Sequence, residues 1–194
     1  MLLIHRAGVG NMTSRQTNKG GGREGLRLIL LRHAKSAWPE GVSDKERPLA
    51  PRGREAASLM GEYMAREGLL PDLVLISTAR RTQETWAIVK EALSAPVASR
   101  NVDELYAAPV ERMLGVLRSA EPNYHCVMMV GHNPGTQDLA LWFAGQDESD
   151  ARQRLGEKYP TAGLAVIDFE AGDWHEIAKG AGRLKRFVTP RSFA

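Results

Sequence analysis

The chain has 194 residues, 43% of them hydrophobic and 25% charged, enough for one compact domain with a sizeable core and too few for two full domains. The formal charge of +3 and pI of about 9.2 hint at nucleic acid, but residues 1–25 carry four basic and one acidic residue, residues 179–194 five basic and none acidic, and the body between them 17 basic against 22 acidic. The basic character belongs to the two ends, so no nucleic-acid partner is expected. A lone cysteine, Cys126, sits in an apolar run; it excludes an intramolecular disulfide or a CxxC pair and reads as a small buried hydrophobe. No apolar stretch approaches the roughly 18–20 residues a bilayer demands. A cytoplasmic setting with no membrane partner is expected.

Residues 1–25, rich in Gly, Ser, Thr and Asn, read as a disordered basic leader. His5 and Arg6 interrupt the only apolar start, which argues against a secretory signal. A dispensable tail, with Met12 as another start, is a better reading than a transit peptide because no amphipathic face is present. The domain proper is expected over residues 26–194. Residues 28–31 form a continuous apolar run, the mark of a buried strand, and lead directly into Arg32 and His33. A turn and helix start over residues 48–54 precede Ala56, Leu59, Met60, Tyr63 and Met64 at helical spacing. Residues 72–76 read as a second buried strand, ending in Ser77, Thr78, Ala79, Arg80 and Arg81, and a helix is expected over about residues 81–93.

Pro109 opens a short helix with Val110, Met113, Leu114 and Leu117 on one face. Residues 126–130 are a third buried strand, ending in Gly131, His132, Asn133, Pro134 and Gly135, with a helix over about 136–143. Residues 163–169 read as a strand, and weaker strands are expected at 174–177 and 184–188. Strands alternating with helices predict an α/β fold with a mostly parallel central sheet and an irregular C-terminal edge.

Three buried strands thus end in ionisable clusters: Arg32 with His33, Arg80 with Arg81, and His132. Crevices in open α/β sheets lie at the carboxyl ends of strands, so the clusters converge although far apart in sequence. Two arginines and two histidines suit a phosphate dianion. A neutral imidazole attacks phosphorus in line while surrounding cations stabilise the equatorial oxygens, chemistry that needs no metal. His33, on rigid backbone directly after a strand, is the better nucleophile, and His132 a donor to a phosphoryl oxygen. No HxxxH or His–carboxylate cluster offers metal ligands, and neither a Walker loop nor GxGxxG follows a strand, so no metal and no cofactor are expected. Ser36 lacks a GxSxG elbow and reads as a local hydrogen-bonding group rather than a nucleophile.

The segments Leu31-Arg32-His33-Ala34-Lys35-Ser36, Arg47-Pro48-Leu49, Ser77-Thr78-Ala79-Arg80-Arg81-Thr82-Gln83-Glu84-Thr85 and Val130-Gly131-His132-Asn133-Pro134-Gly135 together resemble the histidine phosphatase superfamily, most closely its short SixA-like phosphohistidine phosphatases. The resemblance spans about residues 26–189 and implies a three-layer α/β/α sandwich of the phosphoglycerate mutase-like kind. It implies a phosphorylated intermediate on His33, with Arg32, Arg81 and His132 binding the phosphate. Arg81 is chosen over Arg80 because the family's second arginine stands four residues after a serine, here Ser77. The glycine usual after the Arg-His pair is Ala34, which narrows the approach to the backbone.

In many members a glutamate after the second arginine protonates the leaving group; Glu104 is the candidate here and Asp103 the second, with a short-branch mechanism that uses neither as the third alternative. Mutases of the family carry a long cap between the positions of Arg81 and His132, and the short stretch here predicts an open pocket and a phosphatase. The expected substrate is a phosphohistidine protein. A small phosphomonoester, mutase chemistry and a non-catalytic phospho-ligand module are the alternatives, and specificity is expected in the loops at 38–47 and 146–161. Trp38 either covers the pocket mouth or braces its own loop.

Overall fold

The structure is a computed structural model that describes residues 25–145 and 149–193. Residues 1–24 of the expected leader and 146–148 at the start of the second specificity loop lie outside these residues. Six strands form one sheet: β1 (Leu26–Arg32), β2 (Leu73–Ser77), β3 (Ala98–Val102), β4 (Cys126–Gly131), β5 (Leu164–Phe169) and β6 (Gly182–Val188). Their spatial order is β3-β2-β4-β1-β5-β6. The first four positions are parallel, whereas β5 runs antiparallel to β1 and β6 antiparallel to β5. The mostly parallel sheet with an irregular C-terminal edge is as the sequence predicts.

Helices α1 (Pro51–Arg66) and α2 (Arg80–Val89) cover one face; α3 (Val110–Arg118), α4 (Gly135–Phe143) and α5 (Asp150–Glu157) cover the other. The continuous apolar runs have a simple cause. Alternate side chains of a strand point to opposite faces, so Leu28 and Leu30 join the core under α3 and α4 while Ile29 and Leu31 join the core under α1 and α2. Val127 and Met129 separate from Met128 and Val130 in the same way. Each such side chain, removed from water, contributes about 1.5–3 kcal/mol.

The structure departs from the sequence reading at four places. Residues 174–177 form no strand: Trp174 is fully buried in a turn, packs edge-on to Phe169 and donates its indole N–H to the Tyr124 carbonyl at 2.7 Å. Strand β3 (Ala-Ser-Arg-Asn-Val) was not expected, because an exposed edge strand carries no apolar alternation; the open edge of β2 recruits it. The polar stretch after α4 contains α5, capped by Ser149 and anchored by Leu155. The expected helix over 81–93 begins at Arg80 and ends at Val89, continuing as a 3-10 turn over Lys90–Ala92.

Candidate active site

Register explains how the clusters meet. Arg32 is paired with Gly131, the last residues of β1 and β4, so His33 and His132 both stand one position beyond an aligned pair. Their ring centroids are 5.2 Å apart, and the His33 amide donates to the Gly131 carbonyl at 3.0 Å. Ile76 of β2 pairs with Val130, which brings Ser77 beside the same corner. Four residues later Arg81 lies in the first turn of α2, 3.3 Å from His132 Nδ1. Arg32, His33, Arg81 and His132 are therefore brought together. Arg80 is not; it is exposed and pairs with Glu84 at 2.7 Å.

The protonation of both imidazoles is fixed by their partners. His33 Nδ1 lies 2.8 Å from the Ala34 carbonyl; a carbonyl only accepts, so the proton is on Nδ1 and the Nε2 lone pair is free. Burial pushes the His33 pKa down to about 3, with the charges of Arg81 and Arg32 acting the same way. Nδ1 of His132 faces the Arg81 guanidinium, which only donates, so its proton is on Nε2 and is given to Ser77 Oγ at 2.7 Å. Burial, then Arg81, lowers the His132 pKa to about 4. Both rings are neutral at pH 7.

The surrounding contacts hold this geometry. Thr85 Oγ1 accepts the Ala34 amide at 3.0 Å and donates to the Arg81 carbonyl at 2.6 Å, tying the nucleophile's loop to the helix that carries the second arginine. A Cβ at Gly53 would stand 2.0 Å from the Lys35 carbonyl, so only glycine lets α1 abut that loop. The Ala34 methyl is fully buried and belongs to the core cluster of Leu31, Leu49 and Ala57. Arg32 donates to the Tyr159 carbonyl at 2.7 Å, and its buried Nε has no partner.

Asp44, which sequence reasoning missed, is the carboxylate that reaches this cluster. Its Oδ2 accepts from Arg81 at 2.9 Å and from the Tyr106 hydroxyl at 2.8 Å, and its Oδ1 from Arg47 at 2.8 Å. The Tyr106 hydrogen bond, with those of Arg47 and Arg81, holds the Asp44 carboxyl well below the usual carboxylate range. Its signal in the sequence is the spacing of three residues to Arg47 of the Arg-Pro-Leu motif. Arg47 also donates to Ser36 Oγ at 2.7 Å and lies 3.1 Å above the ring of exposed Trp38, so both residues brace the loop that carries Asp44. Tyr106 meets the His132 ring edge-on at 5.6 Å.

Glu104 is placed elsewhere. It is exposed and lines a depression with Arg100, Arg112 and Ser119, remote in contact from the four-residue cluster, because the 3-10 turn over Asp103–Leu105 turns Leu105 into the core. Asp103 is exposed and bound to Lys45 and Thr78 at 2.6 and 2.5 Å, which keep it ionised. Among the described residues no group of three or more His, Cys, Asp or Glu could hold a metal ion, and no helix is long and apolar enough to cross a membrane.

The family model of the histidine phosphatase superfamily (branch 1) matches residues 28–105. The SixA structure from Agrobacterium tumefaciens is 32% identical, covers 86% of this chain and 99% of its own, and superposes with a TM-score of 0.73. The chain belongs to the histidine phosphatase superfamily. It is a SixA-like member and a phosphatase. The SixA structure from Nakamurella multipartitia is 28% identical, covers 85% of this chain and 96% of its own, with a TM-score of 0.74. An uncharacterized Mycobacterium tuberculosis protein is 37% identical over 163 residues, 83% of this chain and all of that one.

Proposed function

We propose that this phosphatase acts on phosphohistidine in proteins, passes the phosphoryl group through Nε2 of His33 and requires no metal ion. The observation that carries the reading is the His33 imidazole: neutral, with Nδ1–H held by the Ala34 carbonyl and Nε2 left as the nucleophile among Arg32, Arg81 and His132. In the first step the His33 Nε2–P bond forms as the substrate's N–P bond breaks, and the substrate ring, which has taken a proton from solvent on its other nitrogen, leaves as neutral imidazole. In the second a water oxygen bonds to phosphorus, the Nε2–P bond breaks, and the water's proton leaves to the phosphate or solvent. Arg32 and Arg81 neutralise the equatorial oxygens in both steps. The dianion also raises the His132 pKa, so that Nδ1 acquires a proton to donate once Arg81 turns to the phosphate.

The choice of leaving group rests on Asp44. The carboxylate at the site is held ionised by Tyr106, Arg47 and Arg81 and is a poor proton donor at neutral pH, and Glu104 points to another depression. An imidazole, whose conjugate acid has a pKa near 6.5, leaves without a strong acid, whereas an alkoxide does not. Access supports the same reading. The 51 positions from Arg81 to His132 are used by α2, β3, α3 and β4 in the sheet and its helical layers, so this segment lays no cap over the site. A cytoplasmic setting accords with a sequence whose one cysteine, Cys126, is buried.

The test is acid–base quenching after mixing with a labelled phosphodonor. An acid-labile, base-stable phosphoenzyme in the wild type, missing in His33→Ala, is the expected result, with p-nitrophenyl phosphate turnover unaffected by EDTA. Full activity in the variant, or loss of activity to EDTA, overturns the mechanism. Parallel assays of a phosphohistidine peptide and of sugar phosphates decide the substrate class; preference for a sugar phosphate overturns that part.

A further inference from the structure

From Arg32 of the catalytic cluster runs a second feature whose other side chains the chemistry above does not use. A depression of about 500 Å³ begins at Arg32 and is lined by Lys35, Arg52, Lys158 and Arg191. A second, of about 460 Å³, shares Lys158, Pro160, Thr189 and Arg191 with it and adds Arg154. The two form one groove with six cationic side chains from five separate parts of the chain and no carboxylate in its lining. Glu55 and Glu62 line a further depression beyond Arg52 and mark its border.

Three observations say that the charge awaits a ligand. First, none of Lys35, Arg52, Arg154, Lys158 and Arg191 forms an ion pair with a described residue, although ten other basic side chains among the described residues do. The body of the chain is acidic overall, so cations left together without partners oppose the general balance and repel one another. Second, Arg52 stands in the first turn of α1, which contains no acidic residue; a cation there adds to the positive end of the helix dipole, an arrangement an anion relieves. Third, the buried Nε of Arg32, at the head of the groove, has no partner.

We infer that this groove docks an acidic segment of the phosphorylated protein, Asp- and Glu-rich residues flanking the phosphohistidine. The inference rests on the phosphoprotein reading given above and names the kind of partner. Extent decides for a chain over a compact second phosphate. The cations run from Arg32 at the catalytic corner, past the start of α1, to Arg154 on α5 and Arg191 in the C-terminal 3-10 turn over Pro190–Phe193. Several carboxylates spaced along an extended chain pair with such a row, whereas a single phosphate meets only one end of it. A row of cations both steers an acidic segment to the groove and holds it there, and ions in solution screen the attraction, so affinity and kcat/KM both depend on salt.

The test uses the full chain and a variant, Arg52→Glu/Lys158→Glu/Arg191→Glu, that leaves Arg32 and Lys35 in place; unchanged p-nitrophenyl phosphate turnover shows that the variant is folded. Two fluorescent unphosphorylated peptides of equal length, one with Asp and Glu about a central His and one with Asn and Gln, are titrated by anisotropy. The acidic peptide binds the wild type at least tenfold more tightly than the neutral one, the difference shrinks between 0.05 and 0.5 M NaCl, and it disappears in the variant. Equal binding of the two peptides, or a preference that survives the three charge reversals, overturns the groove assignment. A nucleoside diphosphate that binds the groove more tightly than the acidic peptide overturns the choice of occupant. Turnover of the phosphohistidine forms is read separately: if neither is hydrolysed, the substrate reading fails, while the binding result still decides the groove.

Discussion

Replacing His33 by Gln removes a buried imidazole whose proton affinity the fold suppresses, and the consequence for acid stability is calculable. The folded pKa is about 3 and the unfolded value about 6.5. Between these limits the unfolded chain binds more protons, so stability is complete above pH 6.5 and is lost as the pH falls toward 3. At pH 5 the unfolded imidazole is almost fully protonated and the folded one almost wholly neutral, which costs about 2 kcal/mol relative to pH 7.5. His132, with a folded pKa of about 4, adds a loss of similar size, about 2 kcal/mol at pH 5. Urea denaturation followed by tryptophan fluorescence at the two pH values measures both. His33→Gln is expected to lose about 2 kcal/mol less than the wild type on going from pH 7.5 to pH 5. An equal loss in the two proteins refutes the claim that His33 is buried and neutral.

The same neutral imidazole predicts that kcat/KM, corrected for ionisation of the substrate, shows no enzyme group titrating near pH 6.5; the nucleophile is lost only on protonation near pH 3, and a limb centred at 6.5 contradicts this. Asp44→Asn removes an anion that competes with phosphate for Arg81 through a half-exposed ion pair, so the inhibition constant of inorganic phosphate falls about two- to fivefold, the worth of one such pair; an unchanged or higher constant is the contrary result. Thr85→Val leaves the buried Ala34 amide without its acceptor and removes the hydroxyl's bond to the Arg81 carbonyl, and thermal or urea denaturation registers a loss of about 1–3 kcal/mol. Glu104→Gln keeps p-nitrophenyl phosphate turnover within about twofold, as expected of an exposed residue outside the cluster; a hundredfold drop restores it as the general acid.

Much of the site was legible because catalytic residues follow strands. Arg32, His33, His132 and the Arg80-Arg81 pair announce themselves as polar residues following continuous apolar runs, and the family resemblance picks Arg81 from that pair by its distance from Ser77. Asp44 was not legible in this way. It belongs to a short 3-10 turn over Asp44–Glu46 that no periodicity marks, and its partners Arg81 and Tyr106 lie 37 and 62 positions away. Trp174 misled for a related reason: an aromatic among polar residues resembles an edge strand, yet its burial comes from Phe169 and the Tyr124 carbonyl across the domain.

Charge shows the same division between what sequence sets and what folding sets. The sequence by itself determined that the body is acidic and the ends basic, that three buried strands each deliver cationic or imidazole groups at one end, and that an α/β sheet would gather them. Tertiary structure decided the rest. The folded backbone, which turns the Ala34 carbonyl to His33 Nδ1, fixes which nitrogen of the ring is free; β-register, not spacing, sets its ring 5.2 Å from that of His132. The packing of α1, α5 and the C-terminal turn around Arg32 collects six cations into one groove. Hydrophobic periodicity is local and so can be read along the chain, whereas proton positions and electrostatic fields depend on groups that only folding brings within a few ångströms of one another.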